Sequence, residues 1–217
     1  MRANVLKLLA AGVLLFGGML LLGLLVQHVI VPGRVGHLDD SIERDLLANR
    51  TSSLNSFTDF GTHLGNTLTV VIELLVIVVV LGLALRRWWP PLFLVAALAG
   101  ESSIYFMTST LIPRDRPHIP RFGPADPVAS YPSGHVAASV CLYGGAAVLA
   151  WTCTRNRPLQ IGLTAVAVVV VLVVAFSRMS RGYHHLTDVL AGALLGGTWL
   201  WLCARYLLAQ EGRRWSR

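Results

Sequence analysis

Six stretches of the chain stay apolar for long enough to cross a bilayer. A membrane-spanning helix needs roughly 20 mostly apolar residues to traverse about 30 Å of hydrocarbon. Such runs occur at about Val5 to Val31, Thr67 to Leu85, Pro91 to Ile112, Gly134 to Thr154, Leu159 to Phe176 and His185 to Leu208. The uncharged centre of the first, Leu8 to Val26, exceeds a signal-peptide core and no small-residue cleavage pattern follows it, so it reads as a retained span, with a cleaved signal as the alternative. The fifth is valine-rich and in water would suggest a strand. Its length and lack of charge favour a helix, which satisfies its backbone groups internally in lipid. Gly192 and Gly196 in the last run have the small-xxx-small spacing that suits close helix packing. The pattern predicts an all-α fold, an integral membrane bundle of six transmembrane helices forming one domain over residues 1–217. Its longest loop, about 33–66, holds a short amphipathic helix with Ile42, Leu46 and Leu47 on one face, read as an interfacial cap.

Composition agrees and narrows the class. Only 13% of residues are charged and 54% are hydrophobic, with a mean hydropathy of +0.63, whereas soluble domains carry about 25% charge. A soluble globule and a disordered chain are both excluded, the second because disorder goes with few apolar residues. Cys141, Cys153 and Cys203 have no metal-ligand spacing and give no disulfide framework.

The net charge of +7 needs sorting by side. With six spans and cytoplasmic termini, Arg2, Lys7, Arg86, Arg87, Arg155, Arg157, Arg205, Arg213, Arg214 and Arg217 face inward, ten of the 18 basic residues. They sit scattered at helix ends as topology determinants do, which disfavours nucleic acid as a partner. In the outer loop Arg34, Arg44 and Arg50 are outnumbered by Asp39, Asp40, Glu43, Asp45 and Asp59, so that loop is net acidic. The remaining arginines cluster where the chemistry concentrates.

Three segments combine charge, histidine and turn residues, and all fall on one predicted face. They are Pro113-Arg114-Asp115-Arg116-Pro117 after span three, Pro132-Ser133-Gly134-His135 entering span four, and Ser177-Arg178 closing span five with His184 and Asp188 entering span six. Arg116 and Arg178 offer planar donor forks that match phosphate oxygens, with Arg114 as a candidate third. Ser133 and the backbone amides at the helix start suit an anion, and Gly134 has no side chain to block close approach. His184 and Asp188 are four apart. If the helix begins early they share a face, where the carboxylate accepts from one imidazole nitrogen and leaves the other free to attack. His135, from another helix, is placed to protonate a leaving oxygen. Phosphoryl transfer needs this kind of positioning and electrostatic stabilisation, and these groups supply it without a metal.

The segments closely resemble the signature of the type 2 phosphatidic acid phosphatase superfamily, which includes the vanadium haloperoxidases: KxxxxxxRP, PSGH and SRxxxxxHxxxD. The second and third parts are complete, and in the first Arg116-Pro117 match while Ser109 stands where lysine is expected. By composition alone PSGH arises in roughly one chain in a thousand of this size, so the ordered third motif on the same face makes the match specific. The resemblance implies that His184 is the nucleophile forming a phosphohistidine, Asp188 its orienting partner and His135 the acid and then the base. It also implies phosphate binding by Arg116, Arg178, Ser133 and Gly134, with no metal or other cofactor. Arg114 is expected to compensate for Ser109. The implied activity is hydrolysis of a lipid phosphate or diphosphate, such as phosphatidic acid, phosphatidylglycerophosphate or undecaprenyl diphosphate, at the extracytoplasmic face of a bacterial cell membrane. The alternative is a non-catalytic lipid-binding or lipid-translocating protein on the same scaffold; joint retention of His135, His184 and Asp188 argues against it.

Other ionisable residues take plainer expectations. His185 and His118 read as interfacial or solvated, as does His63 in the outer loop. Arg181 suits headgroups or anionic lipid. Glu73 and Glu101, inside predicted spans, are functional candidates by location but are assigned to burial against polar neighbours such as Ser102, Ser103 or Thr69.

Overall fold

The computed structural model describes residues 2–123 and 128–208; Arg213, Arg214 and Arg217 of the predicted inner set lie outside them. The first span is α1 (Arg2–Leu25), which runs on through a π-helical turn, Val26–Ile30. Two helices follow over one end of the bundle, α2 (Arg34–Ala48) and α3 (Ser52–Leu64). Spans two and three are α4 (Thr67–Leu85) and α5 (Trp89–Leu111). The fourth comprises α6 (Gly134–Ser139), a π-helical turn and α7 (Gly145–Cys153). The fifth is α8 (Arg157–Ser180), and the sixth is α9 (Leu186–Cys203) with a final π-helical turn to Leu208. Six of these units are long and apolar enough to cross a membrane, and no strand occurs among the described residues.

Local chemistry marks where the spans begin. The side chains of Asn66 and Asn156 accept from the amides of Leu68 and Leu159 at 3.0 and 3.1 Å, capping α4 and α8. Pro90 and Pro91 occupy the first turn of α5, where a missing N–H costs nothing. The outward faces are apolar, with Leu14 76% exposed, the inverse of a water-facing surface and the pattern hydrocarbon requires. Asn4 Nδ2 donates to the carbonyl of Tyr206 at 3.0 Å, so the first and last spans meet at one end, away from the three motifs.

The predicted close approach of Gly192 and Gly196 is present. A Cβ on Gly196 would lie 2.6 Å from the Ala137 carbonyl oxygen and 2.9 Å from Val140 Cβ, and one on Gly192 would strike the Ser133 carbonyl. α9 therefore packs directly on the backbone of α6. Gly196→Ala is expected to destabilise the protein by about 1–3 kcal/mol through overpacking, read as a lowered Tm in detergent.

The cap is more than the single amphipathic helix predicted. α3, started by Thr51 Oγ1 accepting from the Leu54 amide at 3.2 Å, lies along α8. In α2 the buried positions are Gly36, Asp39 and Glu43, while Ile42, Leu46 and Leu47 are half-buried. The helix turns an acidic stripe inward.

Candidate functional site

The three motif segments converge at the end of the bundle that α2 and α3 cover. The backbone amide of Ser133 donates to the Asp188 carbonyl at 3.0 Å, and that of Ser130 to the Arg114 carbonyl, also at 3.0 Å, which ties the segments together before any side chain is considered. His184, Asp188, Ser133, Arg116 and Arg178 are all buried, and His135 borders two cavities.

The partnership expected between His184 and Asp188 takes a different form. α9 begins at Leu186, so His184 precedes the helix and the assumed shared face does not exist. Its Nδ1 donates to the carbonyl of Ser130 at 2.8 Å, while Asp188 Oδ2 stands 3.9 Å away. A carbonyl only accepts, so Nδ1 carries the proton and Nε2 keeps the lone pair of the neutral ring. Asp188 instead accepts from the Ser130 hydroxyl, the backbone amide of His185 at 3.0 Å, and Arg114. Ser130 stands between Asp188 and His184, bonded to both, a link that neither the motif nor its spacing singled out.

Arg114 also departs from expectation. Its NH1 bonds Asp188 and, at 2.7 Å, the Thr187 hydroxyl; NH2 bonds Asp39 Oδ2 at 3.1 Å. The guanidinium is thus committed to two buried carboxylates and does not line the cavity that holds His135 and Arg178. The second arginine of that cavity is Arg181, paired with Asp59 at 2.8 Å. Ser109 donates back to the Phe106 carbonyl at 3.1 Å, within its own helix.

Arg178 NH1 donates to Thr62 Oγ1 of α3 at 3.1 Å, and its guanidinium stacks 4.0 Å from the Tyr183 ring centre. Arg116 donates to the carbonyls of Tyr183 and Val128 at 2.8 and 3.0 Å. The Ser133 hydroxyl is buried with no hydrogen-bond partner among the described residues, a costly arrangement unless a ligand completes it. Gly134 is required for a reason other than ligand approach: a Cβ there would lie 2.6 Å from Tyr105 Cζ.

Two adjacent histidines are driven in opposite directions. Burial, then the charges of Arg178 and Arg116, hold the His184 pKa well below its ordinary value, so the ring is neutral. Burial also opposes charge on His185, but its hydrogen bond to Glu43 and the nearby carboxylates outweigh this and raise its pKa. Its other nitrogen, Nε2, faces the Asp115 carbonyl at 3.1 Å, so both ring nitrogens meet acceptors and an imidazolium fits.

Two cavities meet at His135. One, of about 450 Å³, runs between α4 and α5 past Val71, Leu74, Val95 and Leu98. The other, of about 420 Å³, is lined by Asp59, His63, Arg178, Arg181 and Tyr183. His135 and Thr67 border both. Among the described residues no cluster suits a metal ion. Glu101 Oε2 bonds Ser102 at 3.2 Å, as expected, whereas Glu73 pairs with the Tyr143 hydroxyl at 2.7 Å, not with Thr69.

Comparison with known proteins gives concordant likenesses. The sequence model of the PAP2 superfamily matches residues 65–211. Phosphatidylglycerophosphatase B of Bacillus subtilis (strain 168) is 27% identical over 179 residues, which cover 80% of this chain and 85% of that protein. A crystal structure of a transmembrane PAP2 type phosphatidylglycerolphosphate phosphatase from Bacillus subtilis aligns with a TM-score of 0.75 at 24% identity, covering 90% of this chain and 94% of that one. Aquifex aeolicus LpxE aligns with a TM-score of 0.60 at 19% identity, covering 76% and 94%.

Proposed function

The chain belongs to the PAP2 superfamily, and from that premise we propose that it hydrolyses a lipid phosphate or diphosphate at the extracytoplasmic face of a membrane through a phosphohistidine. The observation that carries the substrate class is the meeting of an apolar groove and a polar, arginine-lined chamber at His135. A lipid chain rests in the groove, open to the bilayer between α4 and α5, while the phosphate enters the chamber. The names of the relatives point to phosphatidylglycerophosphate as one substrate to try.

The roles assigned in this reading are as follows. Nε2 of His184 attacks the terminal phosphorus and its bond to the leaving oxygen breaks; His135 delivers a proton to that oxygen as the lipid alcohol, or for a diphosphate the lipid monophosphate, leaves. His135 then takes a proton from water, whose oxygen attacks the phosphohistidine, releasing phosphate and restoring the ring. In this reading Arg178 of the chamber, the Ser133 hydroxyl and the amide of Gly134 meet the phosphoryl oxygens, where charge builds up in the transition state, and Arg116 supports them from the Tyr183 carbonyl at the chamber's edge. Asp188 holds Ser130, and Ser130 holds His184 in the attacking tautomer. The extracytoplasmic assignment rests on even span number and on the inner arginines at helix ends; a cysteine placed at the exposed His118 should react with an impermeant thiol reagent added to intact cells.

The test of function is phosphate release by the detergent-purified chain from a panel containing phosphatidic acid, phosphatidylglycerophosphate and a polyprenyl diphosphate. Release from at least one is expected, and failure on all of them with the fold intact would reject the proposal. The pH dependence follows from the sign of the His184 shift. Because its pKa lies below the ordinary 6.5, the neutral nucleophile persists as pH falls, and kcat/KM should show no acid limb near that value.

A further inference from the structure

We propose that Asp39 and Glu43 of the cap helix α2 are positioning residues for the reaction, clamping the turn 184–188 that carries His184 and Asp188. This rests on the roles proposed above. α2 precedes the family-matched segment, which starts at residue 65. Its remaining acids, Asp40 and Asp45, are exposed, whereas Asp39 and Glu43 are 2% and 5% exposed. Burying carboxylates is costly unless each finds partners, and both find them on the same turn.

Asp39 grips the first turn of α9. Its Oδ1 accepts from the Thr187 amide at 3.2 Å, and Oδ2 from the Thr187 hydroxyl at 2.6 Å and from Arg114 at 3.1 Å. A carboxylate from a distant helix therefore caps the N-terminus of α9, where orphan amides and the helix dipole favour negative charge. Arg114 carries the same grip to Asp188. Glu43 holds His185, whose other nitrogen bonds the Asp115 carbonyl, so the residue next to His184 is pinned from two sides. Neither acid lines the groove or the chamber. Asp39 borders a separate cavity with Arg114, Arg116 and His185, and both acids act through the turn they bond, where a displacement of about 1 Å at the reacting atoms costs on the order of 100-fold in rate.

The plain rival is that these contacts only fasten the cap to the bundle. The two accounts separate in kinetics measured on the full chain in detergent, with a short-chain phosphatidic acid as probe. Asp39→Asn and Glu43→Gln keep shape while removing charge and exchanging one accepting oxygen for a donor. Each should lower kcat by about 10- to 100-fold, as loss of supporting contacts does at other sites, and leave KM within about threefold. In an Asp188→Asn background, Asp39→Asn should cost less than it does alone, because the part carried through Arg114 is already broken and only the grip on Thr187 is left to lose. Wild-type kcat in both variants, or a loss that multiplies fully in the Asp188→Asn background, overturns the clamp. So does a loss accounted for by a lower folded fraction; should Asp39→Asn not fold, Glu43→Gln, which leaves the partners of Arg114 intact, decides alone. A wild-type chain that neither releases phosphate nor gains Tm with orthovanadate would instead overturn the proposed function, and the clamp with it.

Discussion

His184→Ala is expected to lower phosphate release by about a thousandfold or more, with the protein still folded and its Tm close to that of the unaltered chain. The reason is chemical and local. Nε2 of the neutral ring is the attacking atom in the proposed mechanism, and losses of this order accompany removal of a nucleophile from an enzyme that uses one. Alanine leaves a cavity and an unpaired Ser130 carbonyl, but His184 contributes one described hydrogen bond, so stability should change far less than rate. His184→Asn is the sharper companion. Its amide can donate to Ser130 but cannot attack phosphorus, so it should keep the fold and lose the activity. Phosphate release by the purified variants, with Tm measured alongside, checks both; undiminished release from His184→Ala would remove the residue from the mechanism.

The largest loss of stability is expected from Arg114→Ala. Its guanidinium joins Asp39 and Asp188, and all three side chains are no more than 6% exposed. Truncation strands two carboxylates close together inside the protein, and removing one partner of a buried ion pair costs about 3–5 kcal/mol. Activity should fall with it, since Asp188 would lose the partner that holds its carboxylate against Ser130. Arg114→Lys separates charge from geometry. The two carboxylates are bound by different guanidinium nitrogens, and an ammonium is one point charge on a flexible stem. Lysine should therefore restore part of the Tm and little of the rate. Thermal unfolding in detergent gives the ordering, unaltered chain above Arg114→Lys above Arg114→Ala. An Arg114→Ala protein as stable as the parent would show the ion triad to be dispensable.

The legibility of this chain varied by element for physical reasons. Thr67–Leu85 was readable to the residue because hydrocarbon imposes length and apolarity on any spanning helix. α3 was not, because Ser52–Leu64 is polar and weakly patterned, and it is stabilised by the Thr51 cap and by α8 more than a hundred residues downstream. The same reason hides the chamber residues that α3 supplies, Asp59, Thr62 and His63. In the sequence Asp39 and Glu43 stand only among the acids of the net acidic outer loop. Their spacing of four is visible in the sequence, but the partners that bury them lie 75 and 142 residues away.

Sequence by itself determined the class of molecule, the number and approximate bounds of its spans, and the candidate side chains for phosphate chemistry. Those depend on composition and on spacing along the chain, which the bilayer and the motif constrain locally. Only the tertiary structure decided how the charges pair. It turned Arg114 from the phosphate toward Asp39 and Asp188, set the His184 tautomer through a backbone carbonyl, and drove neighbouring His184 and His185 toward opposite protonation. Such pairings depend on ångström-scale distances between segments far apart in the chain, and buried charges respond to those distances far more strongly than to sequence neighbours.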